Sequence, residues 1–562
     1  DQRQALISQY VNNGTSTFNY ADYETILEPI TQGIASGATR RVLGQSWDYN
    51  PKKSGYKSYA GATWDGFTLR NGVMDEKTLI QTDADATRKN SPGRNGGGGA
   101  CIYKNVTLKN VVVTNNTTIW SDPGSTQDFR AGGIYIDGGT LDAGYIINNL
   151  MEGWSSSSKT PTQSGATYGG GMYLYSGTVF NSVVANNRIY ASYADGAGIF
   201  IENANFFNNT IVNNKAEGTT RACGGVAIWT DASRGTASRL YVYNSIIANN
   251  EGATIAKIGD KNLAVQNGGQ MELHNCISEV ITNKVNGTSQ ITFERCQQVT
   301  NYDDIFVTNG NYSDRASNNF KTLNLRLKAT ATNAINTGDE APVIGGAVYN
   351  LIDYNDMDFA ERIQDCNIDI GAYEFNGSTS ITPHLLNADG TVASSISDAK
   401  QLVFYVTPNG YGTTNANDPE NAACAEKLQH VLDAAGRYKY NNPGKQVIVK
   451  VANSYDFLHP NNGSLNSGDD GYIEPTNFTY YATRTTDQTD QDVRVWSIII
   501  PRGVEVWGGY TDVPVDANWV KTTGAWSNTN NGFVKADGTD HRNITKNPTY
   551  FDSYYLNKLE KT

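Results

Sequence analysis

The sequence predicts an all-β chain built as a solenoid of stacked coils, and three observations carry that prediction. A phrase recurs five times between Gly98 and Asn250: a glycine pair, a short β run, a turn, a second β run, then two asparagines. The first asparagines of those pairs, Asn115, Asn148, Asn186, Asn213 and Asn249, lie 33, 38, 27 and 36 residues apart (148−115, 186−148, 213−186, 249−213), a spacing typical of stacked repeats. Finally, 56 Gly and 33 Tyr among 562 residues, with 18% charged residues, fit a long β protein with many turns and an uncharged polar surface.

Each part of the phrase has a physical reason. The glycine half reads Gly98-Gly99, Gly132-Gly133, Gly170-Gly171, Gly196-Ala197-Gly198 and Gly224-Gly225, and glycine turns tight corners without a Cβ penalty. The β runs, such as Thr178-Val179-Phe180-Asn181-Ser182-Val183-Val184, suit strands with one buried face. Asparagine tolerates the left-handed backbone, and stacked side-chain amides bond from coil to coil. Turn residues in an ordinary sandwich would not keep so fixed a phase. A coil buries its inner face only against its neighbours, so stability is a sum over neighbouring coils and the ends need covering.

The formal net charge of −12, with no Lys/Arg run longer than two, argues against nucleic acid as a partner. No stretch is apolar enough to span a bilayer, which argues against membrane insertion. Asp1-Gln2-Arg3-Gln4 does not begin a signal peptide; either such a signal has been removed or the chain belongs to something longer. The six cysteines, Cys101, Cys223, Cys276, Cys296, Cys366 and Cys424, have no zinc or redox spacing. Cys276 and Cys296 are one coil apart and are placed to face each other, either as partners or as buried thiols.

Beyond the repeat come Leu323-Asn324-Leu325-Arg326-Leu327, Asn333-Ala334-Ile335-Asn336-Thr337-Gly338-Asp339 and Asp369-Ile370-Gly371-Ala372-Tyr373-Glu374-Phe375. This stretch resembles the closing segment of bacterial parallel β-helix surface proteins, especially those of Bacteroidetes with a choice-of-anchor type domain. In that family the Asp-Ile-Gly-Ala-Tyr-Glu phrase finishes the helix. After Asn376-Gly377-Ser378-Thr379-Ser380, the strand Leu402–Val406, an amphipathic helix opened by Asp418-Pro419, the strand Val447–Val451, Ser497–Pro501 and Gly503–Tyr510 resemble that family's opening rungs. The helix is expected to place Cys424, Leu428, Val431, Leu432 and Ala435 on one stripe and to cap the solenoid.

Thr39–Gly44 and Thr63–Gly72 look like middle coils that follow the opening rungs elsewhere in the family, so the order is permuted here. The expected organisation is therefore 1–375, middle and closing rungs; 376–400, a linker; and 401–562, capping helix and opening rungs. Ile26–Ile30 reads as an additional strand or joining peptide. The resemblance implies a right-handed parallel β-helix of the pectate-lyase-like superfold, secreted or displayed on a bacterial surface, with structural or adhesive work. Uncovered coil ends are met either by the two parts joining within one chain or by head-to-tail self-association, which makes an open polymer; a cut through a longer run of tandem modules would give the same permuted order.

The rival reading is an enzyme or binder acting on polysaccharides, because the same fold hosts such activities. Its candidates are Arg130 with Asp137, Asp195 with Glu202, and Asp231 with Arg234, all beside glycine pairs; turn and edge residues that keep a solenoid soluble look the same. The histidines His274, His384, His430, His459 and His541 are dispersed. Asp353, Asp356 and Asp358 near Arg362, ahead of Asp365 and Asp369, suggest calcium but lack an EF-hand spacing. Tyr173, Tyr175, Tyr190, Tyr193, Tyr241 and Tyr243 offer faces for a glycan if they line an exposed row. No catalytic residue, metal ligand or cofactor is assigned from the sequence.

Overall fold

The computed structural model describes residues 25–29, 41–44, 61–75, 96–120, 129–153, 166–218, 221–230, 238–252, 258–308, 324–360, 362, 367–375, 381–407, 410–412, 414–424, 427–453, 479–480, 500–511, 526–529, 531–533, 542 and 550–551. The protein is mostly β, with 50% strand, largely parallel sheets, and the single α-helix Leu428–Asn441 among the described residues. It divides into two compact units, one of Asp1–Arg362 with Ile368–Phe375 and one of Ile363–Asn367 with Asn376–Thr562.

In the first unit the chain visits three sheets in a fixed order. Ile134–Ile147 lies in a 21-stranded sheet, Leu150–Gly153 in a 6-stranded sheet and Ala166–Tyr168 in a 4-stranded sheet. Met172–Phe180 then returns to the first sheet and pairs in parallel with Ile134–Ile147. The same circuit follows through Val183–Ala185, Arg188–Tyr190 and Tyr193–Asp195 to Ile199–Phe207. Every repeat thus lands beside its predecessor, Ile134 opposite Met172, Met172 opposite Ile199, Ile199 opposite Val226, and Val226 opposite Leu263.

This register stacks like on like. Ile134, Met172, Ile199, Val226 and Leu263 form one buried column, and Ile136, Leu174, Ile201, Ile228 and Val265 the next. Strand alternation turns the intervening residues to the opposite face, where Tyr135, Tyr173, Phe200, Ala227 and Ala264 are also buried. Thr25–Leu27 pairs with Phe67–Leu69, so the apolar run near Ile26 is a strand.

The closing segment departs from the expectation that it finishes the stack. Residues 301–308, 324–360, 362 and 368–375 instead lie along its side. Tyr302 donates to Asn213 at 3.1 Å, Asn275 to the Thr337 carbonyl at 2.9 Å, and Ala372 N–H to Thr210 Oγ1 at 3.0 Å. Tyr145 and Tyr373 share a hydroxyl contact of 2.8 Å. The cause lies in the first sheet itself, where Ile146, Val184, Ile211 and Ile247 point to one core while their neighbours Tyr145, Val183, Val212 and Ile246 make a second apolar face. Tyr302, Phe306, Leu325, Leu327, Met357 and Ile370 bury that face.

The second unit holds a 4-stranded sheet in the order His384–Leu386, Gln401–Val406, Gln446–Asn453, Val504–Thr511; the first pairing is antiparallel and the others parallel. The expected linker is therefore shorter than 376–400: residues 381–400 are folded into this unit, with Ala393 and Ala399 buried in its core. Edge pairing holds them, through bonds such as Lys400 N–H to the Leu386 carbonyl at 2.8 Å. The helix buries Leu428, Val431, Leu432 and Ala435 as expected, but Asp418-Pro419 opens a separate 3-10 turn, Pro419–Asn421. Ala423 exchanges backbone bonds with Tyr405 and Thr407 at 2.9 and 2.8 Å, which holds the chain extended and leaves Cys424 ahead of the helix. Ser497–Ile499 lies outside the described residues.

Candidate functional site

Three side-chain systems gather the residues that the sequence marks for function. The first is the column of asparagines. The first residue of each pair, Asn115, Asn148, Asn186, Asn213 and Asn249, has φ between 50 and 59°, the left-handed corner that asparagine tolerates. The second, Asn116, Asn149, Asn187, Asn214 and Asn250, turns inward and is buried. Each inward amide donates to the next Oδ1 at 2.9–3.0 Å, ending on Asn262. The same oxygens accept the backbone N–H of the preceding repeat's asparagine at 3.0–3.1 Å. Asn262 passes its amide to Glu279 Oε2 at 2.5 Å.

The glycine pairs face this column. A Cβ on Gly133 would lie 2.9 Å from the Asn149 amide carbon, one on Gly171 2.7 Å from Asn187 Nδ2, and one on Gly198 2.9 Å from Asn214 Nδ2. The second glycine is thus there to make room for an amide, a reason the sequence reading missed.

The second system lies on the outer face of the first sheet. Tyr135 stacks on Tyr173 at 5.4 Å and Tyr173 on Phe200 at 5.3 Å. Arg130 sits 5.0 Å over the Tyr173 ring, and the Tyr173 hydroxyl donates to Glu202. Gln266 donates to Asp195 Oδ1 at 3.3 Å, and Ser176 to Asp137 Oδ1 at 3.2 Å. Burial pushes the Tyr173 hydroxyl well above the usual phenol range, Glu202 adds to that rise, and Arg130 opposes it. Tyr173 is 1% exposed and Asp195 fully buried, so the chemistry available here is packing and charge compensation. Arg130 and Glu202, drawn from different candidate pairs, meet at one tyrosine. Asp231 and Arg234 lie outside the described residues.

The third system is the acidic closing segment. Arg362 is fully buried and donates to Glu374 at 2.8 Å and to Asn181 Oδ1 at 2.5 Å. Asp356 accepts the N–H groups of Asp358, Ala360 and Glu374 at 2.8, 2.8 and 2.9 Å. Asp369 accepts those of Asn336 and Phe375, both at 2.6 Å. Asp358 forms an ion pair with Arg326. Burial pushes both Asp356 and Asp369 up to about 7, against the pull of these donors. The expected calcium cluster is thus occupied by protein donors, and no group of three metal-ligating side chains is found among the described residues. Asp365 lies outside them.

The remaining candidates are scattered. Tyr173 and Tyr243 are buried rather than displayed, while Tyr175, Tyr190, Tyr193 and Tyr241 are half-buried. His274 does have partners: its ring stacks on Tyr243 at 4.5 Å and its Nδ1 lies 3.1 Å from Glu294. His384 lies beside Tyr405, His430 is exposed on the helix, and His459 and His541 fall outside the described residues. No helix among the described residues is long and apolar enough to cross a membrane. No protein-family profile, no curated protein and no solved structure matches this chain.

Proposed function

We propose that the first unit is a right-handed parallel β-helix and that the protein works as a structural, adhesive element outside the cell, a fibre unit that associates head to tail. The observation that supports this reading is the continuous inward amide column from Asn116 to Asn262. It commits the residues that mark the repeat to bonding coil to coil, the design of a stiff rod.

The proposed contact joins two sheet edges. At one, the residues packed against the core are only partly buried, namely Leu27, Val42, Leu43 and Phe67, and Trp64 is 36% exposed. At the other, among the described residues, the segment Val504–Trp507 lies in the last strand of its sheet, beside Val447–Lys450. A parallel edge offers unpaired N–H and carbonyl groups to another strand, and a second copy supplies strands of matching kind. Sedimentation velocity over a wide concentration range tests this: the sedimentation coefficient should climb with concentration. A single compact species at every concentration contradicts it. Release of unsaturated or reducing sugars from uronate polymers would contradict the structural reading and favour an enzyme.

A further inference from the structure

We propose that Cys276 and Cys296 form a disulfide bond that ties two adjacent coils together. The argument begins with a second column of inward side chains, separate from the asparagine pairs. Gly144 N–H donates to Ser182 Oγ at 3.0 Å, Ser182 N–H to Asn209 Oδ1 at 2.9 Å, and Asn209 N–H to Ser245 Oγ at 3.1 Å. The next members are Cys276 and Cys296, with Cys276 N–H directed at Cys296 Sγ at 3.4 Å. Three coils therefore place a strong hydrogen-bonding side chain at this position and the next two place thiols, which are poor donors and acceptors.

The strands fix the two cysteines face to face. His274 lies opposite Glu294 and Ile277 opposite Gln297, which puts Cys276 opposite Cys296 in neighbouring parallel strands. Such strands run about 4.8 Å apart, inside the ~4.4–6.8 Å window of Cα separations that a disulfide spans. Each thiol also points at the carbonyl two residues before it, Cys276 Sγ to His274 at 3.1 Å and Cys296 Sγ to Glu294 at 3.3 Å, so both are inward and side by side.

The two thiols differ in a way that suits stepwise oxidation. Cys276 is buried and Cys296 half-buried. The hydrogen bond from the Cys276 side chain, with help from backbone donors, lowers the Cys296 thiol below its ordinary range, whereas burial raises Cys276. With a small disulfide such as oxidised glutathione, the Cys296 thiolate attacks one sulfur, forming a mixed disulfide and releasing one glutathione. Cys276 then displaces the second. Two protein thiols are oxidised, one glutathione disulfide is reduced to two thiols, and the two protons end on them. Elsewhere in the chain Cys424 is already disulfide-bonded, which fits a protein that matures where disulfides persist. Cys101 and Cys223 lie outside this column, in the buried cluster that holds Tyr135 and Tyr173.

The test uses the full chain, equilibrated folded with oxidised glutathione, then unfolded without reductant, alkylated and mapped by mass spectrometry. The expected result is a peptide pair linked through Cys276 and Cys296, with Cys101 and Cys223 alkylated. In Cys276→Ser, Cys296 should retain a glutathione adduct that the wild-type chain clears. Alkylation of both Cys276 and Cys296 in the wild type, separate glutathione adducts on them, or links to other cysteines would overturn the proposal. The wild-type map decides even if the variant fails to fold.

Discussion

At the scale of single residues, the asparagine pair divides two jobs between neighbours. The first turns the corner at positive φ and the second bonds to its counterpart in the next repeat. The sequence makes both jobs legible, because asparagine suits each, but two adjacent identical letters do not say which does which. Asn187 accepts from the Asn149 N–H and amide and donates to the Ile146 carbonyl and Asn214. Asn187→Ala leaves buried partners unsatisfied and should lower unfolding stability by about 3 kcal/mol in a denaturant titration. Gly171→Ala should cost about 2 kcal/mol, because its methyl meets the Asn187 amide. The two changes share one space, so the double variant should lose measurably less than their sum.

At the scale of elements, the closing segment shows where local reading ends. Asp369–Phe375 is a distinctive phrase, yet its partners are Thr210 and, through Arg362, Asn181, more than a hundred residues away. Local periodicity does not reveal that the first sheet has two apolar faces, so the segment was expected at an end and lies along a side. The helix Leu428–Asn441 was read from its stripe; its start was misplaced because the bridge from Ala423 to Val406 has no local signature.

Arg362→Met removes the cation paired with buried Glu374 and should destabilise docking of the closing segment by about 4 kcal/mol. Limited proteolysis should then cut within 301–375 first. Docking is also pH-dependent. In the unfolded chain aspartates ionise near pH 4, whereas Asp356 and Asp369, desolvated and facing Asp358, Glu374 and Arg362, are pushed up to about 7. The folded state therefore binds more protons between those values. This contribution is complete below the unfolded pKa and lost as pH rises through about 7. The melting temperature should be higher at pH 5 than at pH 8, with a smaller difference in Asp369→Asn; a rise with pH would contradict the assignment.

At the scale of the whole molecule, the repeat made a parallel β arrangement legible because each repeat needs the same solution at the same place. Three largely parallel sheets visited in turn are the physical form of that repetition. What the repeat does not encode is the partner that covers an outermost strand, because no sequence pattern distinguishes an edge met by solvent from one met by another copy. Hydrogen exchange at rising protein concentration tests this most directly. Amides in 25–27, 62–65 and 504–507 should gain protection with concentration, while those in Met172–Phe180 and Ile199–Phe207 stay constant. Exchange at both edges that does not change with concentration would contradict it.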